Sequence, residues 1–311
     1  MSLIVREPGL FSLLVDRGRS RSRSLGVPVG GAADLGALAL GNALVGNPPH
    51  ALALEVTLSG PILDATQSVA CIVFGAPFQL TVNRVSTNVG TTFTLKSGDV
   101  LRIGGTKSNV RGYLCVAGGF ESREILGSCS GFDPVQAGDV LVCPGSRIEP
   151  RALSFHTSMG EDSNPRGDVP LRVLDGPQFD WFVDQSFFEQ VYEVSPSSNR
   201  MGMRLKGASL TRHPGELTSE AVAPGAVQIA NDGQPIVLGV DGQTIGGYPK
   251  IAHVIRADLD RIAQLRPGDR VRFVGISLEE AEIAARERRE YLKEWIARLG
   301  IADRQPKFLT K

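Results

Sequence analysis

Short apolar runs broken by glycine, proline, asparagine and aspartate dominate this chain. They occupy residues 51–58, 69–74, 78–82, 100–103 and 113–116, and again 171–174, 226–230, 235–240, 252–257 and 270–275. Runs of this length, separated by turn residues at short intervals, predict a mainly β protein built from barrels or sandwiches rather than a βαβ parallel sheet. Three stretches break the pattern with a helical period. Asp34 is placed to cap a helix over 35–45 that stops at Gly46-Asn47-Pro48. Residues 179–191 carry Phe179, Phe182, Val183, Phe187 and Val191 near helical spacing. Residues 277–299 open on a Ser277/Glu280 capping box and carry Ile283, Tyr291, Leu292, Trp295, Ile296 and Leu299 as an apolar stripe, expected to pack on its own domain rather than on a partner.

Residues 156–169 (HTSMGEDSNPRGDV) are polar, rich in turn formers and without apolar periodicity, which makes them the natural boundary. At 311 residues two domains are expected: 1–157 and 168–276, each a β-barrel, followed by a C-terminal helix and tail over 277–311. LKSGDVLRI, VQAGDVLVC and LRPGDRVRF each place Gly-Asp in a turn that opens a strand. The echo fits two related halves, although Gly-Asp turns are common in their own right.

Composition narrows the function classes. Lys+Arg and Asp+Glu both total 33, so no global field draws in nucleic acid or an anionic membrane. The 36 glycines exceed the roughly 7% usual share and favour a turn-rich protein. No apolar run approaches the ~20 residues that span a bilayer, and no signal-peptide core is present at the N-terminus, so a cytoplasmic protein is expected. Cys71, Cys115, Cys129 and Cys143 form no CxxC pair and are expected as free thiols; the four histidines show no metal-ligand spacing, so no metal site is expected.

The chemistry concentrates between Ser198 and Lys250. Gly202, Gly225, Gly233, Gly246 and Gly247 alternate there with Asn199, Arg200, Gln228, Asp232, Gln234, Asp241, Gln243, Thr244 and Tyr248. Glycine lets a ligand approach the main chain, and polar side chains on such loops are binding candidates; a set of tight turns satisfying their own amides is the competing reading. Near the N-terminus, Arg19, Arg21 and Arg23 share a face if the stretch is extended, either to grip a phosphate or carboxylate or as a solvated basic edge. Gly30 and Gly31 precede the first helix, where free amides suit an anion or merely form a turn. GGTKS at 104–108 lacks the order of a phosphate-binding loop, and neither GxGxxG nor GxSxG occurs.

Residues 25–48, 111–119 (RGYLCVAGG), 198–207 (SNRMGMRLKG) and 219–251 together resemble the family of 5-oxoprolinase C subunits, also labelled allophanate hydrolase subunit 2 or biotin-dependent carboxyltransferase, or antagonist of a sporulation-kinase inhibitor. The similarity runs in order along nearly the whole chain. It implies two cyclophilin-like β-barrels and a partner of the B-type (allophanate hydrolase subunit 1), with a LamB-type protein as a third component. It further implies an ATP-dependent opening of 5-oxoproline to glutamate, with ATP bound by the complex rather than by this chain. Under that reading Arg200 and Lys250 bind anionic groups and Asp241 or Asp232 is the base. Asn199, Gln228, Gln243, Thr244, Gly246, Gly247 and Tyr248 then position the substrate, with Arg19, Gly30 and Gly31 as a further anion-binding element.

The chain departs from the family pattern where a DRQTTGGYP-like loop has Gly242 and Ile245 in place of Arg and Thr. The GRPGYRHLGVPRGGAMD-like turn reads GRSRSRSLGVPVGGAAD, and the Gly- and Arg-rich stretch is shortened to SCSGFDPVQAGD at 128–139. Two other readings therefore stand beside the first. One is a carboxyltransferase subunit moving carboxyl from carboxybiotin to a urea-like substrate; no Met-Lys-Met acceptor occurs here, so biotin would arrive on another chain. The other is a non-catalytic binding or regulatory subunit, which the lost arginines favour.

Overall fold

Strand burial explains the apolar runs. In the computed structural model, which describes residues 2–153, 167–182, 186–213, 215 and 217–304, the chain divides into two compact units. The first comprises Met1–Arg17, Leu35–Gly160 and Arg289–Lys311, and the second comprises Gly18–Asp34 and Glu161–Arg288. The expected boundary at 156–169 falls largely outside the described residues.

The first unit holds strands β1 (Ser2–Glu7), β2 (Phe11–Val15), β3 (Ala53–Thr57), β4 (Ile62–Ala65), β5 (Val69–Gly75), β6 (Phe78–Val82), β7 (Val85–Thr87), β8 (Phe93–Leu95), β9 (Val100–Thr106), β10 (Arg111–Val116) and β11 (Val140–Val142). They form a sheet in the order β11-β1-β4-β9-β6-β7 and a second in the order β2-β3-β10-β5-β8. The barrel expected here is thus two separate sheets. Both turn apolar faces to one core: Leu3, Val5, Leu63 and Leu101 from the first sheet, Leu54, Val56, Val73 and Leu114 from the second. Helix α1 (Leu35–Leu44) covers the other side of the second sheet, packing on β5 and β10. A methyl at Gly41 would stand 2.9 Å from Cys115 Sγ and 3.1 Å from Phe74 Cβ, so glycine sets how closely helix and sheet approach. Burial on both faces is why β5 and β10 read as unbroken apolar runs rather than alternating ones. On the face of this sheet away from the shared core lies a charged cluster: Glu55 is fully buried, accepts from Tyr113 Oη at 2.8 Å and pairs with Arg111 Nε at 3.4 Å.

The second unit holds β12 (Val169–Asp175), β13 (Tyr192–Val194), β14 (Gly202–Lys206), β15 (Glu220–Ala221), β16 (Ala226–Ile229), β17 (Pro235–Leu238), β18 (Ile245–Gly246), β19 (Lys250–Val254) and β20 (Arg270–Gly275). Seven of them close a barrel, β12-β19-β16-β17-β14-β13-β20, with β12 and β20 pairing in parallel at the seam. β15 and β18 form a separate two-stranded ribbon. Inside the barrel Phe187 stacks on Phe273, ring centroids 4.4 Å apart, with Tyr192 edge-on to Phe273 at 5.5 Å.

The helix expected over 179–191 is replaced by a 3-10 turn (Phe179–Trp181) and the short α2 (Ser186–Glu189); residues 183–185 lie outside the described set. Phe182 is extended (φ −94°, ψ 134°) and bridges Arg212, so tertiary pairing overrides the helical period. α3 (Leu259–Ile262) is a single turn, whereas α4 (Leu278–Arg304) is long and opens as expected. Ser277 N donates to Glu280 Oε2 at 2.7 Å and Glu280 N donates to Ser277 Oγ at 3.2 Å. Ala281 and Ala284, not the exposed Ile283, make its packing with Ile255 in the second unit.

The three Gly-Asp turns share one geometry. Gly98, Gly138 and Gly268 have φ of 88°, 92° and 89°. The aspartate that follows each accepts, through Oδ2, the N–H of the residue three before it: Lys96 at 2.7 Å, Gln136 at 2.8 Å and Arg266 at 2.7 Å. None of the four cysteines is in a disulfide, and Cys71, Cys115 and Cys143 are buried. Burial raises the Cys143 thiol to about 11 and pushes Cys71 and Cys115 up further.

Candidate functional site

Two polar clusters form in the second unit. The first grows from the turns flanking β14 and β17. Arg200, just before β14, is 7% exposed. It donates through Nε to Asp241 Oδ2 at 2.7 Å and through Nη2 to Asp241 Oδ1 at 2.9 Å. A fork on a carboxylate is the strong form of this interaction. Arg200 Nη2 also donates to the Gly31 carbonyl at 2.7 Å, and Gly30 N donates to the Val240 carbonyl at 2.9 Å. Gly30 and Gly31 take φ of 61° and 73°, which lets residues 30–31 lie against that turn. A methyl at Gly30 would be 3.6 Å from Arg19 Nη1 and 4.0 Å from Asp241 Oδ1, so the buried Arg19 reaches the same place.

Five residues singled out by sequence therefore belong to one cluster: Arg19, Gly30, Gly31, Arg200 and Asp241. The reason for grouping the three arginines does not hold. Ser22 N donates to the Arg19 carbonyl at 3.1 Å and Arg23–Leu25 is a 3-10 turn, so the stretch is not extended; Arg19 is buried while Arg21 is exposed.

The second cluster lies on the outside of the barrel wall, under the ribbon. Side chains alternate along β16 and β17: Val227, Ile229 and Val237 enter the barrel core, whereas Ala226, Leu238 and Ile236 pack outside with Val222. Gln228 shares that outer face, is 1% exposed and stands opposite Lys250 in register. Lys250 Nζ donates to Glu220 Oε1 across from the ribbon, and Gln178 Nε2 donates to the same oxygen at 2.9 Å. Gln178 Oε1 accepts from Lys250 N at 3.0 Å. Gly176 makes this possible, because a methyl there would meet the Lys250 carbonyl at 2.2 Å. Chiefly the Lys250 hydrogen bond holds Glu220 below its usual carboxylate range, with a smaller contribution from Gln178.

Gly246 lets two carboxamides come close to its backbone: a methyl would stand 2.7 Å from Gln228 Nε2 and 2.9 Å from Gln243 Nε2. Gln228 Nε2 also lies 3.4 Å from the Tyr248 carbonyl. Gly247 and the 37%-exposed Tyr248 form the rim, and Thr244 contributes its carbonyl to Val222 N at 3.0 Å.

Two candidates sit in neither cluster. Asp232 is exposed in the β16–β17 turn and accepts from Gln234 N through Oδ1 at 3.0 Å. Asn199 Oδ1 accepts from Met201 N at 2.9 Å, shaping the turn before β14. Sequence reasoning missed Glu220 and Gln178. Glu220 lay inside the 219–251 motif, but nothing in its spacing marks it; only the pairing of β15 with β18 brings it to Lys250.

The charges also bear on nucleotide binding. Arg200 is matched by Asp241 and Lys250 by Glu220, so neither cluster presents the uncompensated cations a triphosphate needs. These residues do not fit ATP. Among the described residues no group of three or more His, Cys, Asp or Glu is arranged to hold a metal ion, and no helix is long and apolar enough to cross a membrane.

Residues 25–275 match the family described as carboxyltransferase domain, subdomain A and B. The 5-oxoprolinase C subunit of Escherichia coli is 35% identical over 300 residues, covering 94% of this chain and 96% of that protein. The protein of the same name from Haemophilus influenzae is 34% identical over 293 residues, 90% of this chain and 93% of that protein. The crystal structure of the Kluyveromyces lactis urea amidolyase superposes with a TM-score of 0.86 at 28% identity, over 94% of this chain and 20% of that one.

Proposed function

The chain belongs to the carboxyltransferase-domain family, subdomains A and B, and on that premise we propose that it is the C-type component of an ATP-dependent 5-oxoprolinase complex. The observation that carries this reading is the end-to-end likeness to the E. coli 5-oxoprolinase C subunit, 35% identical over 94% of one chain and 96% of the other. The complex includes a B-type partner and an A-type partner, and its substrate is the small cyclic amide 5-oxoproline, which is opened to glutamate.

The chemistry of that substrate suits the second unit. 5-Oxoproline presents a carboxylate and a planar lactam. Lys250, nearly buried and oriented by Glu220, supplies a cation for the carboxylate. The Gln228 and Gln243 carboxamides supply donors and acceptors for the lactam, and Tyr248 closes the rim. In the other cluster Asp241 is bound through both oxygens and serves to hold Arg200, whose Nη2 also donates to the Gly31 carbonyl, so the turn is fixed and its charge compensated. ATP is held elsewhere in the complex, and no step of its chemistry is assigned to this chain.

The test is ATP hydrolysis by this chain co-expressed with its A- and B-type partners, with and without 5-oxoproline. Stimulated hydrolysis with stoichiometric glutamate supports the reading, and a stable complex that shows neither overturns it. The second reading is carboxyl transfer from a biotin carried on another chain to a urea-like acceptor. It is favoured by the urea amidolyase of Lachancea kluyveri, 30% identical over 89% of this chain but only 17% of that protein. Urea-dependent consumption of a carboxybiotinylated carrier distinguishes the two.

A further inference from the structure

We propose that Glu220 is a positioning residue for Lys250, fixing its ammonium beside the Gln228 and Gln243 carboxamides so that the site grips a small carboxylate-bearing planar amide. The inference rests on the reading of Lys250 as a substrate contact. It adds a residue that neither the sequence motifs nor the likeness to known proteins singles out.

Three observations support it. Lys250 lies at the start of β19 on the barrel wall with its side chain only 9% exposed, so little of it meets bulk water. A buried ammonium without a partner carries a large desolvation cost. Glu220 supplies the partner from a different element, the two-residue β15, whose own place depends on its pairing with β18. The same ribbon carries Gly246, against which both carboxamides rest, so one element sets the distance between cation and amide donors. Gln178 completes the arrangement. Its Nε2 donates to Glu220 Oε1 while its Oε1 accepts from Lys250 N, tying carboxylate and lysine backbone to one side chain.

The carboxylates of the site are not equivalent. Asp241 uses both oxygens on Arg200, one fork filling one carboxylate. Both hydrogen bonds to Glu220 land on Oε1, and its side chain is 40% exposed, so among the described residues Oε2 keeps its acceptor capacity for a ligand N–H. A lactam offers such an N–H next to its carboxylate. The pair Lys250–Glu220 thereby matches the two ends of that group with opposite charge.

The experiment has two arms. In the reconstituted complex, Glu220→Gln is expected to raise KM for 5-oxoproline at least tenfold with a smaller change in kcat, and Glu220→Asp to recover most of the loss. In the isolated chain, competitive acetylation read by peptide mass is expected to show Lys250 labelled several-fold faster in Glu220→Gln, with the exposed Lys206 unchanged, and slowed by added 5-oxoproline in the wild type. Unchanged Lys250 reactivity, or a KM within twofold of wild type in an active complex, overturns the assignment. Should the wild-type complex leave 5-oxoproline untouched, the 5-oxoprolinase reading falls, and the Lys250 labelling rate alone decides the role of Glu220.

Discussion

Arg200 donates its Nη2 hydrogen to the carbonyl of Gly31, a residue 169 positions earlier, while the same guanidinium grips Asp241. A segment from near the N-terminus thus forms part of the second unit's site. Replacing Arg200 with alanine removes three charge-assisted bonds from a nearly buried position. Loss of about 2–3 kcal/mol of stability is expected, together with at least a hundredfold fall in turnover by the complex. Arg200→Lys keeps the charge but not the fork, and is expected to fall between the two in urea melts and kinetics.

Gly246→Ala separates site from scaffold. The clashing atoms are the ends of two flexible carboxamides, at 2.7 and 2.9 Å, so the fold can yield where the site cannot. The variant is expected to melt within about 1 kcal/mol of wild type while losing at least tenfold in kcat/KM. A normal kcat/KM removes Gln228 and Gln243 from substrate positioning.

The Glu220–Lys250 clasp has a signed pH dependence. Glu220 is held below its usual value of 4.5, so its contribution is present above that value and is lost as pH falls through the lowered folded value. The difference in Tm between wild type and Glu220→Gln is expected to be constant near neutral pH and to shrink only below 4.5. Glu280 and Glu290 are lowered as well, and comparison with the single variant subtracts them. A difference that vanishes well above 4.5 contradicts the clasp.

In the first unit, Glu55→Ala removes the buried acceptor shared by Arg111 and Tyr113 Oη. Breaking a buried pair from one side costs about 3–5 kcal/mol, and calorimetry on the intact chain measures it. Glu55→Gln, which keeps an acceptor for Tyr113, is expected to lose less.

The sequence was most legible where one physical rule acts alone. The capping box at Ser277 and Glu280, the stop at Gly46 and the doubly buried β5 and β10 are local or purely apolar signals, and they appear where expected. The repeated Gly-Asp turn was legible too, since a positive-φ glycine and a short acceptor side chain suffice to build it. Short strands such as β13 and β15 were not, because two or three residues carry no period and acquire meaning only from their neighbours. Phe182 misled for the converse reason: its helical spacing was real, but a bridge to Arg212 claimed it. The Arg200 cluster was named piecemeal, each member for its own chemistry, and only the fold shows that Arg19, Gly30 and Gly31 meet Asp241.

Because residues 18–34 group with the second unit while 35–160 group with the first, synthesis and assembly run in different orders. The ribosome releases Gly31 169 residues ahead of the arginine that holds it. The nascent chain must therefore keep a glycine-rich strap unoccupied until the barrel that receives it has been made. A gene fragment encoding only the later barrel cannot restore the site, however well it folds. Supplying the strap as a separate peptide, or fusing it through a linker directly before the barrel, is the route to an autonomous second unit.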